Sequence, residues 1–296
     1  MGNKTKAVIF MILSACSLSI MQLGVKLSGG SIPMMEQVFV RNFFTLFIGW
    51  YIAYSGGHKN PLGKKENQKP LALRAILGYL GVVMYFFASR NMYAADATLL
   101  HRSSPFFVVI FSAMFLREKI SKVQGAALAA AAVGALCVIR PQFNSEVVPA
   151  LIGLLSAASA GGAYTVIAYL KGRENNGVII FYFSFVSCLL SLPFMMMDFV
   201  MPDLYNTLML LVIGGFAAAG QIFLTIAYKN APAGEVSIYN FSGIICSCVL
   251  GYTFLQEALD FMSGLGMVII ISAALVMFLH GRRKADNGRV TQVLRK

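Results

Sequence analysis

The sequence predicts an all-α integral membrane protein, with ten transmembrane helices arranged as two inverted five-helix repeats. Three observations predict it. First, 58% of the 296 residues are hydrophobic and 12% are charged, with a mean hydropathy of +0.72; a soluble domain carries about 25% charged residues. Second, the apolar residues form runs of roughly 18 to 25, enough to cross about 30 Å of hydrocarbon. Third, the chain contains itself twice. Residues 85–136 align without a gap on residues 224–275, pairing Asn91 with Asn230, Asp96 with Glu235, Ser103 with Ser242 and Gly125 with Gly264. Duplicated all-helical membrane proteins are most often transporters.

The spans fall near 7–27, 36–54, 71–92, 95–116, 122–140, 148–171, 178–197, 204–229, 232–255 and 260–280. Lys4 and Lys6 before an apolar stretch imitate a secretory signal, but the stretch from Ala7 to Val25 outruns a typical apolar region of about 7–15 residues. It is therefore expected to stay as the first span. The later breaks carry turn punctuation: Gly29-Gly30 and Pro33, Gly56-Gly57 with Pro61 and Pro70, Arg140-Pro141, Pro202 and Pro232. The joint from Met92 to Ala95 is so short that its neighbours must form an antiparallel hairpin. The expected units are residues 1–141, residues 142–281 and a basic tail, 282–296.

The net charge of +12 reports orientation rather than nucleic acid, since no basic face or aromatic-basic module accompanies it. Most of the 24 basic residues lie in alternate connections: Lys4, Lys6, Lys59, Lys64, Lys65, Lys69, Arg74, Arg117, Lys119, Lys122, Lys171, Arg173, Lys229 and the tail. The other connections hold Arg90 and Arg140 beside Glu146, Asp198, Asp203 and Asp260. The positive-inside bias then puts both termini in the cytoplasm and the protein in the cytoplasmic membrane. The copies start five spans apart, so the second enters the membrane upside down, as in transporters with two oppositely facing states. The loop 55–70 and the tail are expected to lie along the anionic inner leaflet, so membrane lipids are partners.

The five cysteines all fall inside apolar runs without metal-ligand spacing, so they read as small hydrophobes and no metal is expected. No Walker sequence is present, so no nucleotide cofactor drives transport directly. With both halves in one chain, a monomer suffices.

An ionisable group inside a span costs about 2.5–3.5 kcal/mol near the centre on insertion scales and needs a reason to be there. Lys26, Arg41, His101 and Arg102 are such groups. Arg102 lies about two turns into span 4, on the face of Thr98, Pro105 and Val109. Pro105 cannot donate to the His101 carbonyl, which predicts a bend beside a guanidinium. A guanidinium fork suits carboxylate or phosphate. The competing role is an ion pair with Asp96 or Glu36. Arg41 stands opposite Phe183 of the second copy, and that asymmetry favours a special role over scaffolding; an ion pair with Glu36, or snorkelling, is the alternative. Lys26, near the end of span 1, reads as snorkelling. His101 pairs with Asn240 across the repeat. A histidine there can couple transport to protons, and a neutral, hydrogen-bonded histidine fits equally. Gln22, Tyr85, Tyr164, Gln221, Tyr239 and Asn240 are the polar groups expected among apolar cavity walls or as bridges between helices. Arg90/Lys229 and Asp96/Glu235, repeated at hairpin ends, read as structural.

Each half closes with Phe-Leu-x-Glu, Phe115–Glu118 and Phe254–Glu257, followed by a small-residue span opened by Gly125 or Gly264. With "AADATLLHRSSPFFVVIFSAMFLREKI" and "AGEVSIYNFSGIICSCVLGYTFLQEAL", nearly the whole chain resembles the drug/metabolite transporter superfamily, in its EamA-like branch. The resemblance implies a central cavity lined by spans 1, 3, 4, 6, 8 and 9, alternating access and a small-molecule substrate. It departs from the common pattern at His101-Arg102. The expected function is a secondary active transporter of a small anionic or zwitterionic metabolite, such as a carboxylate, an amino acid or a compound like S-adenosylmethionine. A lipid flippase or scramblase on the same fold and an exporter of cationic amines compete with it. An intramembrane enzyme is disfavoured, since HExxH, GxSxG and paired mid-span carboxylates are absent.

Overall fold

A computed structural model describes residues 3–56, 60–116, 122–139, 147–231, 233–256, 261–262, 264–273, 275–276 and 279. Glu118, Arg140, Glu146, Glu257, Asp260 and the basic tail lie outside the described residues. The described elements are helical: α1 (Asn3–Leu27), α2 (Met34–Ser55), α3 (Gln68–Asn91), α4 (Ala94–His101), α5 (Ser104–Leu116), α6 (Lys122–Ile139), α7 (Val147–Tyr169), α8 (Asn176–Met197), α9 (Leu204–Asn230), α10 (Ala233–Val236), α11 (Ser242–Leu250) and α12 (Gly264–Ala273). Six stretches, α1, α3, α4 with α5, α7, α8 and α9, are long and apolar enough to cross a membrane. The helix α2 has the length but buries Glu36, Gln37, Arg41, Asn42 and Thr45. With α6, the α10–α11 stretch and α12, these make up the ten spans.

Span 4 is broken where Pro105 predicts a bend. The helix stops at His101, the Ser103 N–H turns back to the Leu100 carbonyl, and α5 starts at Ser104. Span 9 breaks at the same register: α10 gives way to a 3-10 turn over Ser237–Phe241, and α11 starts at Ser242. The residue equivalent to Pro105 there is Ile244, so proline is not needed for the second break.

Helix packing crosses between the two halves. The principal contacts are α1 with α9, α2 with α8 and α3 with α7, a pattern unchanged when each span is exchanged for the one five later. The helices α2 and α8 are such equivalents, and they run antiparallel: Gly49 faces Phe181, and Gly177 faces Ala53. Apolar lipid gives helices no hydrophobic reason to associate, so close backbone approach at small residues does the work. At Gly177 an added Cβ would stand 2.2 Å from the Ala53 nitrogen, which is backbone and cannot move aside. On the α1 side, Ser14 donates to the Gly220 carbonyl at 2.8 Å.

The helix ends are closed by polar groups in matching pairs. Arg90 donates to the Gly29 and Ile32 carbonyls of the α1–α2 turn, and its equivalent Lys229 donates to the Glu174 carbonyl of the α7–α8 turn. Both act on the structural side, as expected. Two carboxylates cross between halves. Glu36 accepts from the Val200 N–H at 3.3 Å, and Glu174 accepts from the Lys64 N–H and the Asn67 amide, both at 2.8 Å. Asn175 and Asp203 cap α8 and α9 by accepting from Gly177 and Asn206 N–H.

The Cys16 and Cys246 sulfurs, on α1 and α11, lie 2.9 Å apart. The two side chains therefore face one another rather than serving only as separate hydrophobes.

Two outcomes follow from this packing. Copper–phenanthroline oxidation of the membrane-embedded protein will join Cys16 to Cys246, detected as a disulfide-linked peptide pair by mass spectrometry and lost in Cys16→Ser. Gly177→Val will force α2 from α8 and destabilise the protein by at least about 1–3 kcal/mol, read as a lower unfolding temperature in detergent.

Candidate functional site

A cavity with about 550 Å³ of space not filled by atoms, part of it open to the outside, sits between the halves. Its floor is one face of α3, where Arg74, Gly78, Gly81 and Tyr85 recur at helical spacing. Around that face stand Leu18 and Met21 of α1, Arg41 of α2, His101 and Arg102 at the span 4 break, Ala160, Ala163 and Tyr164 of α7, Phe183 of α8 and Gln221 of α9.

Three guanidiniums share this space, and all are almost fully buried. Arg102 donates to the Asn240 side-chain oxygen and, at 3.1 Å, to the Ala15 carbonyl. It fits because Gly243 has no Cβ; an added one would lie 2.5 Å from the guanidinium carbon. Arg74 donates to Gln221 Oε1 at 3.2 Å and stacks on Phe183 with its guanidinium carbon 4.0 Å from the ring centre. Gly78 leaves room for that stack. Arg41 donates through Nε to the Met21 thioether at 3.2 Å, a weak acceptor. Among the described residues, Nη1 of Arg41 and Nε of Arg74 and of Arg102 are buried without a hydrogen-bond partner. The acceptors of these bonds, a thioether, two side-chain amides and a backbone carbonyl, are all neutral. Glu36, the expected partner of Arg41, accepts from the Val200 N–H.

His101 stacks on Tyr85 with ring centres 4.3 Å apart, and Tyr85 shares a 3.0 Å hydrogen bond with Thr98. The Ser156 hydroxyl donates to the Gly153 carbonyl at 2.6 Å, so its oxygen is left to accept from His101 Nδ1 at 2.9 Å. That places a proton on Nδ1. Tyr164 stacks on Tyr228 at 5.2 Å.

The structure thus brings Arg41, Tyr85, His101, Arg102, Tyr164 and Gln221 together and leaves three expected residues aside. Gln22 donates to Ser89 and bridges α1 to α3. Asn240 stands behind Arg102 as its acceptor. Tyr239 packs, half-buried, against the apolar core of α1, α7 and α9. Among the described residues none of span 9 lines the cavity, and Asn240 meets it only through Arg102. Spans 2 and 7 do reach it, through the long side chains of Arg41 and Phe183. Lys26 donates to the Met92 carbonyl at 2.8 Å, away from the cavity.

Arg74 corrects the charge reading of the sequence. It is 2% exposed and inside the cavity, not in a cytoplasmic connection with Lys64 and Lys69. Its signal was the face it shares with Gly78, Gly81 and Tyr85, and its replacement by Ile213 in the second copy.

The EamA-like transporter family matches the chain twice, over residues 5–140 and 148–279. The pseudopaline exporter CntI of Pseudomonas aeruginosa is 34% identical over 91% of this chain and 95% of its own length. The S-adenosylmethionine uptake transporter of Rickettsia prowazekii is 23% identical over 95% of each chain. A crystal structure 18% identical in sequence superposes with a TM-score of 0.73, covering 95% of this chain and 99% of that one, and shares the fold. This chain belongs to the EamA-like transporter family of the drug/metabolite transporter superfamily, as a multi-pass membrane transporter.

Proposed function

We propose that this transporter moves a small organic solute bearing a carboxylate, free or within a zwitterion, across the cytoplasmic membrane by alternating access. The observation that carries the proposal is the cluster of Arg41, Arg74 and Arg102 in one buried cavity without an ion pair among the described residues. Arginine stays protonated in proteins, so its charge cannot be shed to relieve burial. A carboxylate in the cavity would supply the missing counter-charge and accept the open N–H groups in fork geometry. A cationic amine would add a like charge and find no carboxylate among the lining residues.

Alternating access draws support from the exchange pattern of the helices and from the matched breaks in spans 4 and 9. Unwound backbone inside a membrane is tolerated where it is buried in protein or lines a cavity, and discontinuous helices build central sites in transporters. Orientation with both ends in the cytoplasm rests on the basic connections, with Arg74 removed from their number. Export is the direction supported by the likeness to the pseudopaline exporter.

The test is a thermal-unfolding screen of purified protein against carboxylates, amino acids, S-adenosylmethionine and quaternary amines, with Arg102→Ala in parallel. A carboxylate or zwitterion at a hundred times its Kd will stabilise the protein by about 2.7 kcal/mol. Arg102→Ala will weaken that ligand tenfold or more. Stabilisation by amines alone, equal in the variant, overturns the reading.

A further inference from the structure

We infer that the transported solute carries at least two carboxylates, and that Arg74 and Arg102 take different ones. The inference rests on the carboxylate reading above and sharpens it from the number and placement of the charges.

The three guanidiniums enter the cavity from three elements: Arg41 from α2, Arg74 from α3 and Arg102 from the break between α4 and α5. Each is held in its own place. Arg74 is pinned by the Phe183 ring on α8 and by Gln221 on α9. Arg102 is pinned by the Ala15 carbonyl on α1 and by Asn240 just before α11. These anchors lie on different helices, so the two forks are not free to swing onto one small group. Each nevertheless keeps a buried Nε without a partner, and Arg41 keeps an Nη1.

One carboxylate has two oxygens and satisfies one fork bidentately. A monocarboxylate, or a zwitterion of the simple amino-acid kind, would therefore leave two buried guanidiniums uncompensated. An amino acid's own ammonium would add to that excess. Two carboxylates leave one positive charge, and three leave none. Arg41, which donates to a thioether and keeps an open Nη1, is placed to take the third. Sulfate or phosphate also carries multiple charge, but as a single compact group it reaches one fork. The walls Leu18, Val82, Phe86, Ala160 and Ala163 are apolar, matching the carbon skeleton that would hold the carboxylates apart.

The experiment uses the full-length protein in detergent at constant ionic strength, with a charge ladder on similar skeletons: butyrate, glutarate and tricarballylate. Alanine, sulfate and phosphate are run beside it. Unfolding temperature and calorimetric Kd are recorded for the native protein and for Arg74→Gln. The expected result is a gain of at least tenfold in affinity from butyrate to glutarate, no loss from glutarate to tricarballylate, and weaker binding of alanine, sulfate and phosphate. In Arg74→Gln the gain from butyrate to glutarate falls to threefold or less. Should that variant not fold, the native ladder decides alone.

Butyrate or alanine binding as well as glutarate overturns this inference while leaving the carboxylate reading intact. So does a full glutarate preference retained in Arg74→Gln. Sulfate or phosphate binding in place of the carboxylates, or no response to any member of the ladder, overturns it as well. Amines binding where no carboxylate does overturns both.

Discussion

The positive charge that cannot be discharged governs the interior of this protein. A buried lysine or histidine escapes its environment by losing a proton; an arginine does not. Three of them around one cavity oblige the surrounding helices to present neutral acceptors, a thioether, an amide and a backbone carbonyl, in place of water. They also set the spaces that the helices must leave. Gly78 and Gly243 lie where any larger residue would strike a guanidinium. The break in span 4 belongs to the same constraint: it places Arg102 at the end of one short helix and ahead of the next, where the side chain reaches both α1 and the start of span 9.

Around that centre the frame is symmetric and the lining is not. The exchange pattern of α1–α9, α2–α8 and α3–α7 is preserved between halves, and so are the turn-closing cations Arg90 and Lys229. Yet Arg41, Arg74 and Arg102 stand opposite Phe183, Ile213 and Phe241 in the second copy. The repeated cations Arg90 and Lys229 hold the scaffold; the unrepeated arginines face the cavity. The partition makes physical sense. A scaffold that must close at either face needs equal packing energies in two arrangements, whereas a ligand in the middle is itself asymmetric and needs charge on one side only.

Much of this was legible in the chain. Run lengths placed the spans, the gapless repeat placed the halves, and Pro105 marked the break. What remained hidden has two causes. Arg74 sits one turn into its span, near Lys65 and Lys69, where position alone suggests a headgroup charge; only helical phase turns it inward. Tyr239 and Asn240 were expected in the cavity from span number, but a 3-10 turn rotates that stretch relative to an ideal helix, and Asn240 ends up behind Arg102. Period and composition report which residues are inside. They do not report local unwinding, and in span 9 no proline announces it.

The hydrogen bonds that hold the arginines also explain how binding could be felt by the frame. Arg74 to Gln221 and Arg102 to Asn240 each join the first half to the second. The two arginines are therefore both cavity-lining and part of the seam between halves. The proposed carboxylate would accept from the same guanidiniums with a full negative charge and in bidentate geometry, which a neutral amide cannot match. It therefore competes with Gln221 and Asn240 for their donors. A ligand shifts a conformational equilibrium only by its differential contacts with the two states. Under the proposed alternating access, contacts that replace a bond across the seam would differ between the two states, because the seam is what a rearrangement of the halves would remake.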